Sequence, residues 1–113
     1  MPRDYRLQID DILNAIGRIK AYVQGMSYDA FSTDSKTQDA VVRNLEIIGE
    51  AARTIPEDLK VRKNIIDWRK FIGLRNVLIH EYFGISLPIV WDVISNKLGE
   101  LEVACEEIIK EIG

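Results

Sequence analysis

Between positions 75 and 82 the chain reads Arg75-Asn76-Val77-Leu78-Ile79-His80-Glu81-Tyr82, a stretch that contains its only histidine. A guanidinium, a carboxamide, an imidazole and a phenol within about two helical turns form a set suited to a phosphodiester and its protons. Breaking a phosphodiester without a metal requires side chains that move protons and stabilise charge on a pentacoordinate phosphorus. An imidazole, with an unperturbed pKa of roughly 6.5, populates both protonation states near neutrality, which suits His80 to the proton role. A guanidinium stays ionised and offers a planar fork to phosphate oxygens, which suits Arg75 to the charge role in a way that lysine would not. Asn76 can orient the imidazole or hold the phosphate or ribose.

Whether these groups meet depends on the element that carries them. Asp67 can cap a helix running from Trp68 to His80 or Glu81, with Trp68, Phe71, Ile72, Leu78 and Ile79 buried. On such a helix Asn76 and His80 are an i, i+4 pair, and Arg75 and Tyr82 are nearly aligned. Arg75 and His80 stand about 140° apart, so one chain does not bring them together as helical neighbours. They converge on a ligand only from the flanks of one face, through the reach of arginine, or with a second subunit. A two-fold dimer would line a cleft with two arginines and two histidines. Gly73 inside this helix costs about 1 kcal/mol relative to alanine unless a close contact or partner uses the missing side chain.

The remaining segments are helical scaffold. Ile9, Ile12, Leu13, Ile16, Ile19 and Val23 recur at three and four, predicting a helix from about Tyr5 to Gln24, with Gly25 at its end. A polar connection with Tyr28, Phe31 and Ser32 leads to Ser35 and Gln38, which match a capping box for a second helix. Val41, Leu45, Ile48, Ala52 and Ile55 then form a four-three-four-three seam stopped by Pro56. Residues 56 to 64 read as a loop with one helical turn at Glu57 to Lys60. After Gly84, Ser86 can cap a last helix of about 26 residues, with Pro88 in its first turn and Val90, Ile94, Leu98, Leu101, Cys105, Ile108 and Ile112 on its stripe. Alternating strand-like runs are absent, and the expected fold is all-α, an antiparallel four- to five-helix bundle.

At 113 residues the expectation is a single domain spanning 1–113. The formal charge of −3 argues against a general affinity-driven nucleic-acid binder. That mean hides an asymmetry. Between residues 60 and 76, Lys60, Arg62, Lys63, Arg69, Lys70 and Arg75 face only Asp67; between 97 and 113, Lys97 and Lys110 face Glu100, Glu102, Glu106, Glu107 and Glu111. Basic surface is thus expected beside the octapeptide, although a solvated helix face explains it equally well. Cys105 is the single cysteine, which rules out an internal disulfide and any multi-thiolate zinc site. No spacing suggests a metal cage or a Gly-rich phosphate loop, so neither metal nor cofactor is expected. No apolar run approaches a membrane span and residues 1 to 5 form no signal segment, which predicts a cytoplasmic protein.

Arg75-Asn76, three apolar residues and then His80-Glu81-Tyr82 resemble the Arg-Asn…His-x-Tyr motif of HEPN domains, in their HepT-like branch. The block from Arg43-Asn44 to Ala51-Ala52, Asp67-Trp68 before the motif, and Tyr82-Phe83-Gly84 with Val90-Trp91 after it extend the resemblance over nearly the whole chain. It implies a helical bundle that forms a symmetric homodimer with a composite site, and a metal-independent ribonuclease acting as the toxin of a toxin-antitoxin pair. Arg75, His80 and Asn76 are then the catalytic set and RNA the substrate. The implied partner is a minimal nucleotidyltransferase antitoxin, which silences the nuclease by attaching AMP to Tyr82.

Each residue also has a plainer reading. A histidine near a helix end caps carbonyls, Arg75 can pair with Glu50 or Glu46, and Tyr82 can be an amphipathic surface tyrosine. A non-catalytic helical module that binds a nucleotide or a partner protein is therefore the alternative function.

Overall fold

The computed structural model describes residues 5–80 and 87–112, with residues 75–80 described as helical backbone. The helices are α1 (Arg6–Val23), α2 (Tyr28–Ser32), α3 (Ser35–Thr54), α4 (Glu57–Arg62), α5 (Trp68–His80), α6 (Leu87–Asp92) and α7 (Leu98–Ile112), with a π-helical turn, Val93–Lys97, joining the last two. The described residues contain no strand, and none of their helices is long and apolar enough to cross a membrane.

The all-α bundle expected from the apolar spacing is what forms. Ile9, Ile12, Ile16 and Ile19 of α1 are completely buried, and every member of the α3 seam, Val41, Leu45, Ile48, Ala52 and Ile55, is at most 3% exposed. The α3 helix is packed on two sides, by α1 and by α5. Val42 and Gly49 on one flank of the seam, and Asn44 and Ala51 on the other, are therefore buried as well. Asn44 is the polar member. Its Oδ1 accepts from Arg18 Nε at 2.8 Å, and its Nδ2 donates to the Ala40 carbonyl at 2.9 Å, so neither end of the amide is left without a partner. Arg18 meeting Asn44 while Gln8 shares a cleft with Thr54 makes α1 and α3 antiparallel. On the other side of α1 lies α7. Lys20 binds Glu102 at 3.1 Å near the start of α7, and Lys63 holds Glu111 at 2.7 Å near its end.

Local starts and stops differ from the sequence reading in several places. Gly25, at φ +76, takes the left-handed conformation that ends α1, as expected. The segment after it is not merely a polar connection: Ser27 Oγ accepts from Ala30 N at 3.1 Å and starts α2, whose Phe31 is completely buried. The capping box at Ser35 does not form, because Asp34 takes the cap one residue earlier. Asp34 accepts from Thr37 N at 3.0 Å and from the Thr37 hydroxyl at 2.8 Å. These bonds favour the ionised form and hold the Asp34 carboxyl below its ordinary value. Gln38, freed from a capping role, donates to the Phe31 carbonyl at 2.8 Å and ties α2 to α3. Beyond Pro56 the loop contains a helix two residues longer than the expected turn, anchored by Leu59 at 1% exposure.

The final helical run covers the expected length, but it is not a uniform α-helix. In the π-helical turn Leu98 N–H donates to the Val93 carbonyl, five residues back. Between Val90 and Leu98 a regular α-helix would rotate about 80° past a whole number of turns; the extra residue of the wide turn removes about 100°, leaving the two within about 20°. Val90 and Leu98 are accordingly both buried, while Ile94, inside the wide turn, is only half-buried. Trp91 packs on Phe31 with ring centroids 5.1 Å apart and on Tyr28 at 6.2 Å, fastening α6 to α2. Ile112 ends the expected stripe but is 38% exposed. Cys105 is fully buried; the loss of water, with Glu102 and Glu106 nearby, pushes its thiol up to about 12. The Ser86 cap and the Gly84 exit lie outside the described residues.

Candidate active site

The site begins with how α5 is anchored. Asp67 Oδ1 accepts from Lys70 N at 3.3 Å, as its predicted capping role requires. Trp68 Nε1 donates to the Lys63 carbonyl at 3.2 Å, and Ile66, Trp68 and Phe71 are buried. Ile72 is only partly buried, short of the burial expected for it. These contacts fix the direction in which the helix leaves the α4 corner and runs along α3.

From that anchor the backbone stays helical through His80. Arg75, Asn76 and His80 therefore lie on one unbroken helix. The register places positions 76 and 80 on one face, nearly opposite Phe71, and position 75 about 40° from Phe71, on the side turned toward the bundle. One chain thus brings Asn76 and His80 onto a shared face and separates Arg75 from both. Tyr82 lies outside the described residues, and the pairing of Arg75 with Glu50 or Glu46 involves a side chain that is not described. Glu50 itself binds Arg53 Nη2 at 2.6 Å.

The folded chain redistributes the basic segment that the sequence showed as one block. Arg62 reaches Glu111 at 3.4 Å, and Lys63 lies 3.6 Å from Glu107 and 2.7 Å from Glu111. Hydrogen bonding to Glu111 raises the Lys63 ammonium above its ordinary value and lowers the Glu111 carboxyl. These two cations are neutralised by the acidic end of α7. Lys60, Arg69 and the Lys70 ammonium have no such partner among the described residues. Lys60, Arg69 and Lys70 thus keep their charge on the α4–α5 side, where Glu57, Asp58 and Asp67 also lie.

Two grooves flank the start of α5. One, of about 610 Å³, lies between α4 and α5 and is lined by Lys60, Val61, Asn64, Ile65, Arg69 and Ile72, with Glu57 and Asp67 also on its wall. The other, of about 580 Å³, runs between α5 and the π-helical turn, with Phe71, Leu74, Ile89 and Val93 forming its apolar lining and Lys70, Asp92, Lys97 and Glu100 its charged lining. Arg69, noted in the sequence only as part of the basic segment, and Gly73, noted only as a glycine open to a close contact, continue the Asn76–His80 face toward the helix start. Their signal was the four-three-four spacing of 69, 73, 76 and 80.

The sequence matches the protein family described as Ribonuclease HepT-like over residues 12–108. A Methanocaldococcus jannaschii protein named as a candidate RNase is 42% identical over 113 residues, covering 99% of this chain and 93% of that one. A candidate ribonuclease HepT of Thermococcus cleftensis is 36% identical over 110 residues, 97% of this chain and 100% of that protein. A Caldanaerobacter subterraneus protein, also named as a candidate RNase, is 36% identical over 110 residues, with 97% and 96% covered. No solved structure matches the chain at a significant level.

Proposed function

We propose, on the premise that this chain belongs to the HepT-like ribonuclease family, that it is a metal-independent RNA endonuclease and the toxin of a toxin-antitoxin pair. The family match over residues 12–108 carries this reading. Supporting it is the unbroken helix that holds Arg75, Asn76 and His80.

In the proposed reaction a ribose 2′-hydroxyl attacks the adjacent phosphorus. The O2′–P bond forms as the P–O5′ bond breaks, giving a 2′,3′-cyclic phosphate and a free 5′-hydroxyl. One His80 accepts the 2′-hydroxyl proton and a protonated His80 of a second copy supplies the proton taken up by O5′. Arg75 balances the charge that gathers on the non-bridging oxygens. Asn76, one turn before His80, orients the imidazole or the ribose. Because Arg75 and His80 are about 140° apart on one helix, the proposed site is built in a homodimer in which each copy completes the other's.

The proposed silencing acts at Tyr82. A nucleotidyltransferase antitoxin would transfer AMP from ATP to the Tyr82 phenol oxygen, releasing pyrophosphate and the phenolic proton. The product places a phosphate and a nucleoside two residues from His80, where they occupy the site and offset its positive charge.

Cleavage of labelled RNA by the purified protein, with and without chelator, tests the enzyme. Cleavage should be insensitive to chelator and should fall ~10²- to 10⁴-fold in His80→Ala. Arg75→Ala should lose it comparably with helical content unchanged; full activity in either variant would defeat the assignment. Saturable nucleotide binding with no cleavage by the wild type would leave the non-catalytic module instead. Coexpression with the nucleotidyltransferase should add one AMP mass to the wild type and none to Tyr82→Phe.

A further inference from the structure

Along α5 the positions Arg69, Gly73, Asn76 and His80 are spaced four, three and four. At about 100° per residue they fall within an arc of about 60°, extending about 16 Å along the axis. Phe71, 7% exposed and packed into the core, lies about 160° from Arg69. The arc is therefore the outer face of the helix. Three properties distinguish its first half. Arg69 is exposed and makes no ion pair among the described residues. A Cβ built on Gly73 meets nothing within 4 Å, so backbone is open to close approach midway between Arg69 and His80. Arg69 also stands on the α4–α5 groove with Lys60, beside Val61 and Ile65, which leave 64% and 79% of their surface in solvent.

We propose that this face is a track for the RNA strand on one side of the scissile bond, with Arg69 binding a phosphate, Gly73 admitting the backbone, and the α4–α5 groove receiving the next nucleotide. The proposal rests on the ribonuclease reading and adds substrate-binding residues to it. Charge at Arg69 itself favours an anion, because it stands exposed on the face shared with positions 73, 76 and 80 and makes no ion pair among the described residues. The neighbouring cations Arg62 and Lys63 are already held by Glu107 and Glu111, whereas Lys60 and Arg69 are spare. Glu57 and Asp67 share the groove wall with Lys60 and Arg69 and balance its charge, so the phosphate is assigned to Arg69 on the outer face and the groove to the nucleoside. The exposed aliphatic side chains of Val61 and Ile65 give a base or ribose an apolar surface beside Arg69.

Steady-state cleavage of an RNA oligonucleotide across a salt series, together with binding measured in a His80→Ala background, tests the track. Arg69→Gln should raise the KM or Kd about tenfold at low salt, because a charge-assisted bond to phosphate is lost. It should also flatten the slope of log Kd against log salt by about 0.7, the share of one phosphate contact on a single strand. The kcat should stay within about twofold. Gly73→Leu should remain folded, because its Cβ faces open space, and should also raise KM. Lys110→Gln, which removes the same charge from α7, should change neither. Wild-type protein that does not cleave RNA defeats the ribonuclease reading itself. Cleavage with unchanged KM and salt slope in Arg69→Gln and Gly73→Leu overturns the track alone. Unchanged RNA affinity with weakened self-association assigns the face to protein contact and also overturns it.

Discussion

Deleting Ser95 should leave the bundle almost intact, although a deletion in the middle of a long helix ordinarily turns everything beyond it by about 100°. Ser95 is an exposed residue of the π-helical turn. With it removed, seven residues separate Val90 from Leu98, and a regular α-helix then carries them within about 20° of each other, which is the relation the wide turn already achieves. Val90, Leu98, Leu101 and Cys105 keep their buried places, and the stability change should stay below about 1 kcal/mol. Deleting Glu100, also exposed and five residues later, is the control. There the helix is regular, so Glu102 moves into the place of Leu101 and Glu106 into that of Cys105, both completely buried positions. Losing Leu101 alone costs about 1.5–3 kcal/mol, and each buried carboxylate adds several more, a total comparable with the whole stability of a small domain. Urea melts followed by far-ultraviolet circular dichroism, with amide NMR dispersion as a check on packing, compare the two. Equal destabilisation by both deletions would refute the register argument.

Two further outcomes follow from the buried and paired polar groups. Arg18→Met should cost about 1–3 kcal/mol because it strands the buried Asn44 Oδ1, whereas Asn44→Leu should cost nearer 1 kcal/mol because Arg18 can turn to water; the opposite order in urea melts would contradict the Arg18–Asn44 account. Asp34 and Glu111 have lowered carboxyl values, so their stabilising contribution is complete above their unfolded-state values of roughly 4 and is lost as pH falls through the lower folded values. Asp34→Ala should accordingly narrow its stability gap to wild type below about pH 4, and a gap that stays constant through that range of acid melts would exclude the cap as its source.

The α1 and α3 stripes were legible because regular helices packed on flat neighbours repeat at a fixed angle, and residues such as Ile16 and Leu45 carry that angle in their spacing. Where the local rule changed, the spacing misled. A fixed 100° step cannot announce the wide turn at Val93–Lys97, and it made Ile94 look like a full core residue. The α2 helix is five residues long, too short to show a period, so its only sign was Ser27 three residues before Ala30. Asp34 and Ser35 are both good caps, and the choice between them depended on Thr37 and on the use of Gln38 by Phe31. The same limit applied to charge. Six cations between Lys60 and Arg75 looked equivalent in the sequence, yet only folding revealed that Arg62 and Lys63 are engaged by Glu111, 49 and 48 residues away. The helical placement of Arg75, Asn76 and His80 was readable from Asp67 and the apolar residues behind it. Arg69 and Gly73 were each visible in the sequence, as one cation among six and as a glycine open to a contact, but only the space around Gly73 and the lack of a partner for Arg69 in the fold join them to that face.

The buried sulfur of Cys105 gives the molecule a built-in clock for its own opening. It is the only thiol in the chain, completely buried on α7 against α1. Burial also pushes its value up to about 12, so the thiol of the closed molecule stays protonated and unreactive. Alkylation therefore counts the moments when α7 lifts away, and a single mass increment reads the rate without assignment. Variants of Arg75, His80 or Arg69 that lose function at an unchanged labelling rate have lost chemistry or substrate contact; those that label faster have lost the fold.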